Sequence, residues 1–161
     1  MRKKFLFICL LLMFIACKIR AHVIQSGTDL FEWSQKEEIK SLLGVPTDET
    51  LIFELEESGD YTLSNIVDFG HNKVILRTAS DKKSATITYG SGASIRFGGG
   101  FTLENVNIDG KQSTEPILGL SDKPNEAILG RNNHYTINDS VTVQNCYVYN
   151  VQRQFLYDNK V

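Results

Sequence analysis

In "NCYVYNVQRQFLYD", residues 145–158, Tyr147, Tyr149 and Tyr157 alternate with apolar residues. On a strand, alternation sends such rings to one outer face. Tyrosines exposed together can stack flat on sugar rings, or they can support cross-strand pairs, and both readings are open. Other residues with chemical potential stand apart. His22, His71 and His134 have no partner at metal-ligand spacing. "GSGAS" at 90–94 lacks the Gly-x-Ser-x-Gly pattern of a nucleophile elbow, and "FGGGF" at 97–101 lacks the lysine and the following helix of a phosphate loop. Both read as turn glycines. No metal site is expected.

The cysteines bear on the chain's destination. "MRKKFLFICLLLMFIAC" has a basic start and then an apolar run of 12 residues, Phe5 to Ala16, which is short of the roughly 20 needed to span a bilayer. It reads as a secretory signal over residues 1–16. "FIAC" resembles a lipobox, which makes Cys17 the residue to be lipidated; the alternative is ordinary cleavage nearby, for instance after Ala21. With Cys9 inside the signal, Cys146 is left alone among strand residues and reads as a small core hydrophobe. A disulfide framework and a CxxC metal site are thereby excluded. Loss of Arg2, Lys3 and Lys4 with the signal leaves 14 basic against 19 acidic side chains, a net charge of −5. Such a balance offers no attraction to nucleic acid.

About 140 residues remain, enough for one core. Residues 17–28 read as a tether. In "DLFEWSQKEEIKSLLG", Asp29 is an N-cap, Leu30, Trp33, Ile39, Leu42 and Leu43 form an apolar stripe, and Gly44 with Pro46 is a stop, which predicts one amphipathic helix over residues 29–43. Beyond Pro46 the runs "LIFEL", "KVILRT", "ATITY" and "ASIRF" are short, β-branched or aromatic, and separated by turn formers. The fold class is all-β.

The segments "YTLSNIVDF", "FTLENVNID" and "VTVQNCYVY" begin at residues 61, 101 and 141. In the second, Phe101 and Leu103 precede Asn105, and Val106 and Ile108 follow it, so the inward set changes parity at the Asn. A straight strand cannot do this. Each segment therefore reads as two strands joined at a tight corner, with Asn105 and Asn145 at positive φ and able to form a ladder. Corners repeated in this way predict a solenoid. "FGHNKVILRT" also matches "FGGGFTLEN", which favours a coil of 27 or 28 residues, makes the first "YTLSN" partly coincidental, and leaves Gly110–Glu126 as an inserted loop.

These segments, with the helix before them, resemble the right-handed parallel β-helix of pectin-lyase-like proteins, in particular the uncharacterised β-helix domains of gut-bacterial surface lipoproteins associated with polysaccharide use. The resemblance covers residues 29–161, with coils over 51–161, and it implies fold more than activity. In lyases of this superfamily one sheet and its flanking loops form a substrate groove, with calcium held by Asp residues and an Arg or Lys as base. The resemblance implies groove strands at "SIRF", "AILGR" and "QFLYD", bringing Arg96, Arg131, Arg153, Tyr157 and Asp158 to the substrate, with Asp109 and Asp122 in adjoining loops. Arginine pairs well with carboxylates, so an acidic polysaccharide is the expected partner.

Three functions follow: a surface-anchored or secreted β-helix that binds polysaccharide for capture or degradation, a pectate-lyase-like lyase or hydrolase, and a non-catalytic structural or adhesive module. No cofactor is implied except calcium for a lyase. The expected location is the outer membrane or cell surface, alternatively the periplasm or the medium. Nothing after Val151 has the length or pattern to cover the last coil, so the β-helix reads as incomplete and self-association at that end is expected. If Cys17 carries lipid, Cys17→Ala will move the protein from the membrane fraction to the soluble one, because the signal leaves no other anchor. Unchanged membrane recovery would refute the lipobox.

Overall fold

The computed structural model describes residues 21–44, 48–121 and 140–157. A first strand, β1 (Ala21–Ile24), is followed by two helices, α1 (Leu30–Ser34) and α2 (Glu37–Gly44). The chain then passes through three sheets, A, B and C, in the same order four times. The first circuit is β2 (Thr50–Leu55), β3 (Asp60–Leu63) and β4 (Ile66–Asp68). The second is β5 (Lys73–Thr78), β6 (Ala85–Tyr89) and β7 (Ser94–Phe97). β8 (Phe101–Glu104), β9 (Val106–Asp109) and β10 (Leu118–Leu120) make the third, and β11 (Val141–Gln144), β12 (Tyr147–Tyr149) and β13 (Leu156–Tyr157) the last. Sheet A runs β1-β2-β5-β8-β11, sheet B β3-β6-β9-β12 and sheet C β4-β7-β10-β13, all paired in parallel. The fold is all-β with parallel sheets.

In-register pairing places like on like. On sheet A, Phe53, Leu76, Leu103 and Val143 stand opposite one another in succession. Tyr61, Ile87, Ile108 and Val148 do so on sheet B, and Val67, Ile95, Leu118 and Leu156 on sheet C. The middle of the stack is a continuous apolar core. Phe53 stacks on Phe69 at 5.6 Å between ring centroids, Phe69 on Phe101 at 6.0 Å, and Phe97 on Phe101 at 4.6 Å. Rings at these separations add attraction beyond the area they bury.

The step from Val74 to its partner Phe101 is 27 residues, the shorter period expected from the "FGHN" and "FGGG" match. From Phe101 to Val141 it is 40, one circuit with inserted residues. "FTLEN" and "VTVQN" leave sheet A for sheet B, whereas "YTLSN" leaves sheet B for sheet C. The first copy is thus a coincidence of sequence at a different corner. Asn105 and Asn145 adopt φ of 55° and 53° at equivalent corners, as the parity change required. In the circuit before them Thr78 does related work: its hydroxyl donates to the Asn105 carbonyl at 2.6 Å and accepts from the Ala85 amide at 2.9 Å. Glycine at 99 is set by the stacking itself, since a Cβ there would lie 2.3 Å from the Asn72 carbonyl oxygen.

Three expectations are corrected. The single helix over 29–43 is two helices broken at Gln35 and Lys36. Asp29 caps the first as expected, accepting from the Phe31 and Glu32 amides at 2.9 and 3.1 Å. The break is needed because Ile39 lies six residues past Trp33, which at about 100° per residue would rotate it some 240° from Trp33's face in one helix. Ser34 Oγ donating back to the Phe31 carbonyl at 2.7 Å ends the first segment, and both Ile39 and Leu43 then reach the core. Trp33 meets Phe53 edge-on at 4.9 Å, so the helices close the first circuit.

The tether over 17–28 contains β1, whose Ile24 is buried opposite Leu55 and whose carbonyl accepts from the Tyr61 hydroxyl at 2.7 Å. Four residues gain strand structure here only because β2 offers them an edge. Finally, the loop proposed at Gly110–Glu126 includes β10, since Ile117 and Leu118 are fully buried and Leu118 pairs with Ile95.

Two outcomes are expected. Asn105→Val will destabilise the domain by about 1–3 kcal/mol and Asn105→Gly by less, because only the branched residue is strained at positive φ. Equal losses by chemical denaturation would show that strain is not the cause. The Tyr89 hydroxyl is buried with no hydrogen-bond partner among the described residues, so Tyr89→Phe will leave stability unchanged or raise it by up to ~1 kcal/mol. Burial also pushes the Tyr89 pKa well above its ordinary 10.0. The folded state therefore keeps a proton that the unfolded chain releases, and stability falls as pH rises past about 10. Denaturation series at rising pH will show a shallower fall for Tyr89→Phe.

Candidate functional site

Only outward positions on the three sheets can meet a ligand, since the inward ones fill the core. On sheet A, Arg77 Nε donates to Glu54 Oε1 at 3.0 Å across neighbouring strands, so that arginine is already paired. Beneath the helices, Leu30, Trp33, Val67 and Phe69 border a small gap with an apolar lining. It offers no group to orient a ligand.

Sheet C carries part of the expected groove. "SIRF" is β7 and "QFLYD" supplies β13, but the strand between them is β10, Leu118–Leu120, and "AILGR" lies outside the described residues. The apolar run at 117–120, of which 127–130 is a near-copy in sequence, is the one that pairs with β7. Asp68, Arg96, Gly119 and Tyr157 occupy one cross-strand row. Arg96 and Tyr157 are thus brought to the same row, with Gly119 between them contributing no side chain. Asp68 joins them without having been foreseen, because its place beside Arg96 depends on a 28-residue register step. Arg153 lies exposed in the connection between β12 and β13 rather than on a groove strand. Arg131, Asp122 and Asp158 fall outside the described residues, as do Cys17 and His134.

Asp109 is not in a loop beside sheet C. It ends β9 on sheet B, where its Oδ1 accepts from the Asn150 side-chain amide at 2.9 Å and from the Lys111 backbone amide at 3.2 Å. Asn150 can reach it because its own φ of 56° turns the chain at the end of β12.

The outer face of sheet B therefore has the clearest order. One row is Asp60, Thr86, Asn107 and Tyr147, and the next is Thr62, Thr88, Asp109 and Tyr149. The two tyrosine rings are 5.4 Å apart and tilted by 30°. They are two residues apart on one strand, so they are not a cross-strand pair, and among the described residues no strand lies beyond β12 in its sheet. Tyr147 is consequently 68% exposed. Partial burial, and then the carboxylates of Asp109 and Asp60, hold the Tyr149 phenol above its ordinary value. Each brings a phenol and an aromatic ring, Tyr147 exposed and Tyr149 half-buried, next to the amide of Asn107 and the carboxylate of Asp109.

At the adjacent corner Cys146 is half-buried, its thiol 3.2 Å from the Gln144 carbonyl and 3.5 Å from that of Leu103. Burial pushes its pKa up, so it is a packing residue rather than a nucleophile. No group of three or more His, Cys, Asp or Glu side chains able to hold a metal occurs among the described residues. No helix among them is long and apolar enough to cross a membrane.

No curated protein and no solved structure matches the chain. Residues 59–161, from the turn before β3 onward, match the family described as Domain of unknown function (DUF4957), and the chain belongs to that family.

Proposed function

We propose that this chain is a right-handed parallel β-helix, capped at its N-terminal end, that binds polysaccharide at the cell surface. The solenoid reading is supported by the cyclic visits to three parallel sheets and the positive-φ asparagines at successive corners. The observation that carries the binding reading is the exposed Tyr147 with the half-buried Tyr149 against it, beside Asn107 and Asp109 on the outer face of sheet B. A sugar ring presents an apolar face and a rim of hydroxyls. The open Tyr147 ring, with Tyr149 at its side, meets the first, and amide, carboxylate and phenol groups meet the second. Asp60 and Asp109 make this face acidic, which suits a neutral glycan. The Arg96 row on sheet C favours a second reading for uronate-containing chains, since arginine matches carboxylates.

Attachment through Cys17 fits the same picture. β1 begins at Ala21, four residues on, so a lipid at Cys17 would hold the capped end at the membrane and leave the tyrosines facing outward.

Calorimetric titration with neutral and uronate-rich polysaccharides, with absorbance followed for unsaturated products, tests these readings. The expected result is binding of a neutral glycan without new absorbance, weakened about fivefold to tenfold by Tyr147→Ala and Tyr149→Ala and unchanged by Arg96→Ala. Wild-type affinity in both tyrosine variants refutes the sheet B face. Selective loss of uronate binding in Arg96→Ala supports the second reading, and growing absorbance would show a lyase instead.

A further inference from the structure

The outward side chains of sheet B keep step across the stack. β3, β6 and β9 pair in register, so Asp60, Thr86 and Asn107 form one row along the stack axis, and Thr62, Thr88 and Asp109 form a second. Strands about 4.8 Å apart set the spacing within a row, and two residues of strand, about 6.6 Å, separate the rows. The second row begins one step earlier, at Asp29, which is bridged in parallel to Thr62.

The ends of the second row are already engaged. Thr62 Oγ1 donates to Asp29 Oδ2 at 2.9 Å, and Asp109 Oδ1 accepts from the Asn150 side-chain amide. Between them the face is open: the side chains of Asp60, Thr86, Thr88 and Asn107 make no hydrogen bond to any described residue. Asp60 and Thr88 are exposed, and Thr86 and Asn107 are half-buried. The strands that carry them bury Tyr61, Ile87 and Ile108 in the core, which fixes the backbone beneath. Carboxylate, hydroxyl and amide groups thus stand at set intervals on a firm surface, each with hydrogen-bonding capacity to spare.

We infer that sheet B takes an extended, β-linked glycan lengthwise along the stack axis, between the two rows and with one sugar to each strand. This rests on the polysaccharide reading and adds the linkage class, direction and length of the ligand. In its extended form a β-linked hexose chain advances by nearly the strand spacing with each sugar, so successive rings stay level with successive strands. Each ring carries hydroxyls on both edges. Those on one edge meet Asp60, Thr86 and Asn107, and those on the other meet Thr88. Other long ligands fit worse. An extended peptide advances about 3.3 Å per residue and falls out of step with the strands. A nucleic acid would set its phosphates against Asp60 and Asp109. An α-linked, coiling glycan leaves a flat face before it has crossed all the strands. A chain reaching from Asp60 to Tyr147 crosses the four strands of sheet B, so four sugars fill the site.

Calorimetric titration with β-linked glucan, mannan and xylan oligosaccharides of two to six sugars, and with α-linked glucan oligosaccharides of the same lengths, tests the inference. In the β-linked series that binds best, affinity is expected to rise about threefold or more with each sugar from two to four and to level off beyond four. The α-linked series binds roughly tenfold more weakly at equal length. Thr86→Val and Thr88→Val exchange a hydroxyl for a methyl on strands that accept either, so the fold, checked by circular dichroism, is kept. Each weakens binding of the four-sugar chain about threefold to tenfold. Thr102→Val, the same exchange on the outer face of sheet A, has no effect. Equal affinity for two and four sugars, an α-linked series bound as tightly as the β-linked ones, or wild-type affinity in both Thr86→Val and Thr88→Val overturns the inference and leaves polysaccharide binding standing. If neither the oligosaccharides nor the neutral and uronate-rich polysaccharides bind, the polysaccharide reading falls and this inference falls with it.

Discussion

Parallel, in-register pairing between successive circuits is the constraint from which the rest of the structure follows. Strands about 4.8 Å apart place each inward side chain directly on its equivalent, so every column must be filled by residues that tolerate their own kind as neighbours. The column Phe53, Leu76, Leu103, Val143 meets that demand with apolar residues of graded size. The same spacing governs the corners. Where backbone lies on backbone, as at Asn72 over Gly99, a side chain has no room, and glycine is required. Where one residue must turn the chain between sheets, as at Asn105, a positive φ is required and asparagine tolerates it.

These local demands explain what can be read from residues alone. The parity change around Asn105 exposes the corner, the Asp29 cap exposes the helix start, and the match of "FGHN" with "FGGG" exposes a step of 27 or 28 residues. Each is a contact between near neighbours or a requirement of one residue's backbone. What escapes is decided by distant partners. β1 is a strand because β2 receives it, and "ILGL" at 117–120 becomes one through its register with Ile95. The break at Gln35 follows from where Ile39 must point, which is a property of the first circuit and not of the helix. The site shows the same division. Alternation places Tyr147 and Tyr149 on one face, but Asn107 and Asp109 become their neighbours through a 40-residue step.

Core and surface are separated unusually cleanly in such an arrangement. Inward positions are spent on columns and corners on geometry, so the outward positions of sheets B and C are free to vary without disturbing either. The tyrosine pair beside Asn107 stands on such positions, whereas Asp68, beside Arg96, also accepts from the Gly70 amide at 2.8 Å. A recognition surface could change there while the scaffold remained the same.

The partial exposure of the last circuit has a consequence for motion. Local opening costs least where few apolar contacts are lost, and the strands holding Val143, Val148 and Leu156 bury the least of any circuit. Fraying therefore starts at β11–β13 and dies away toward the aromatic column, while Trp33 and the helices anchor the other end. Tyr147 and Tyr149 ride on the part of the molecule that opens first. Anything that settles on their rings must also quiet that segment, so part of its binding free energy is spent on ordering and the grip is looser than the contacts alone would set.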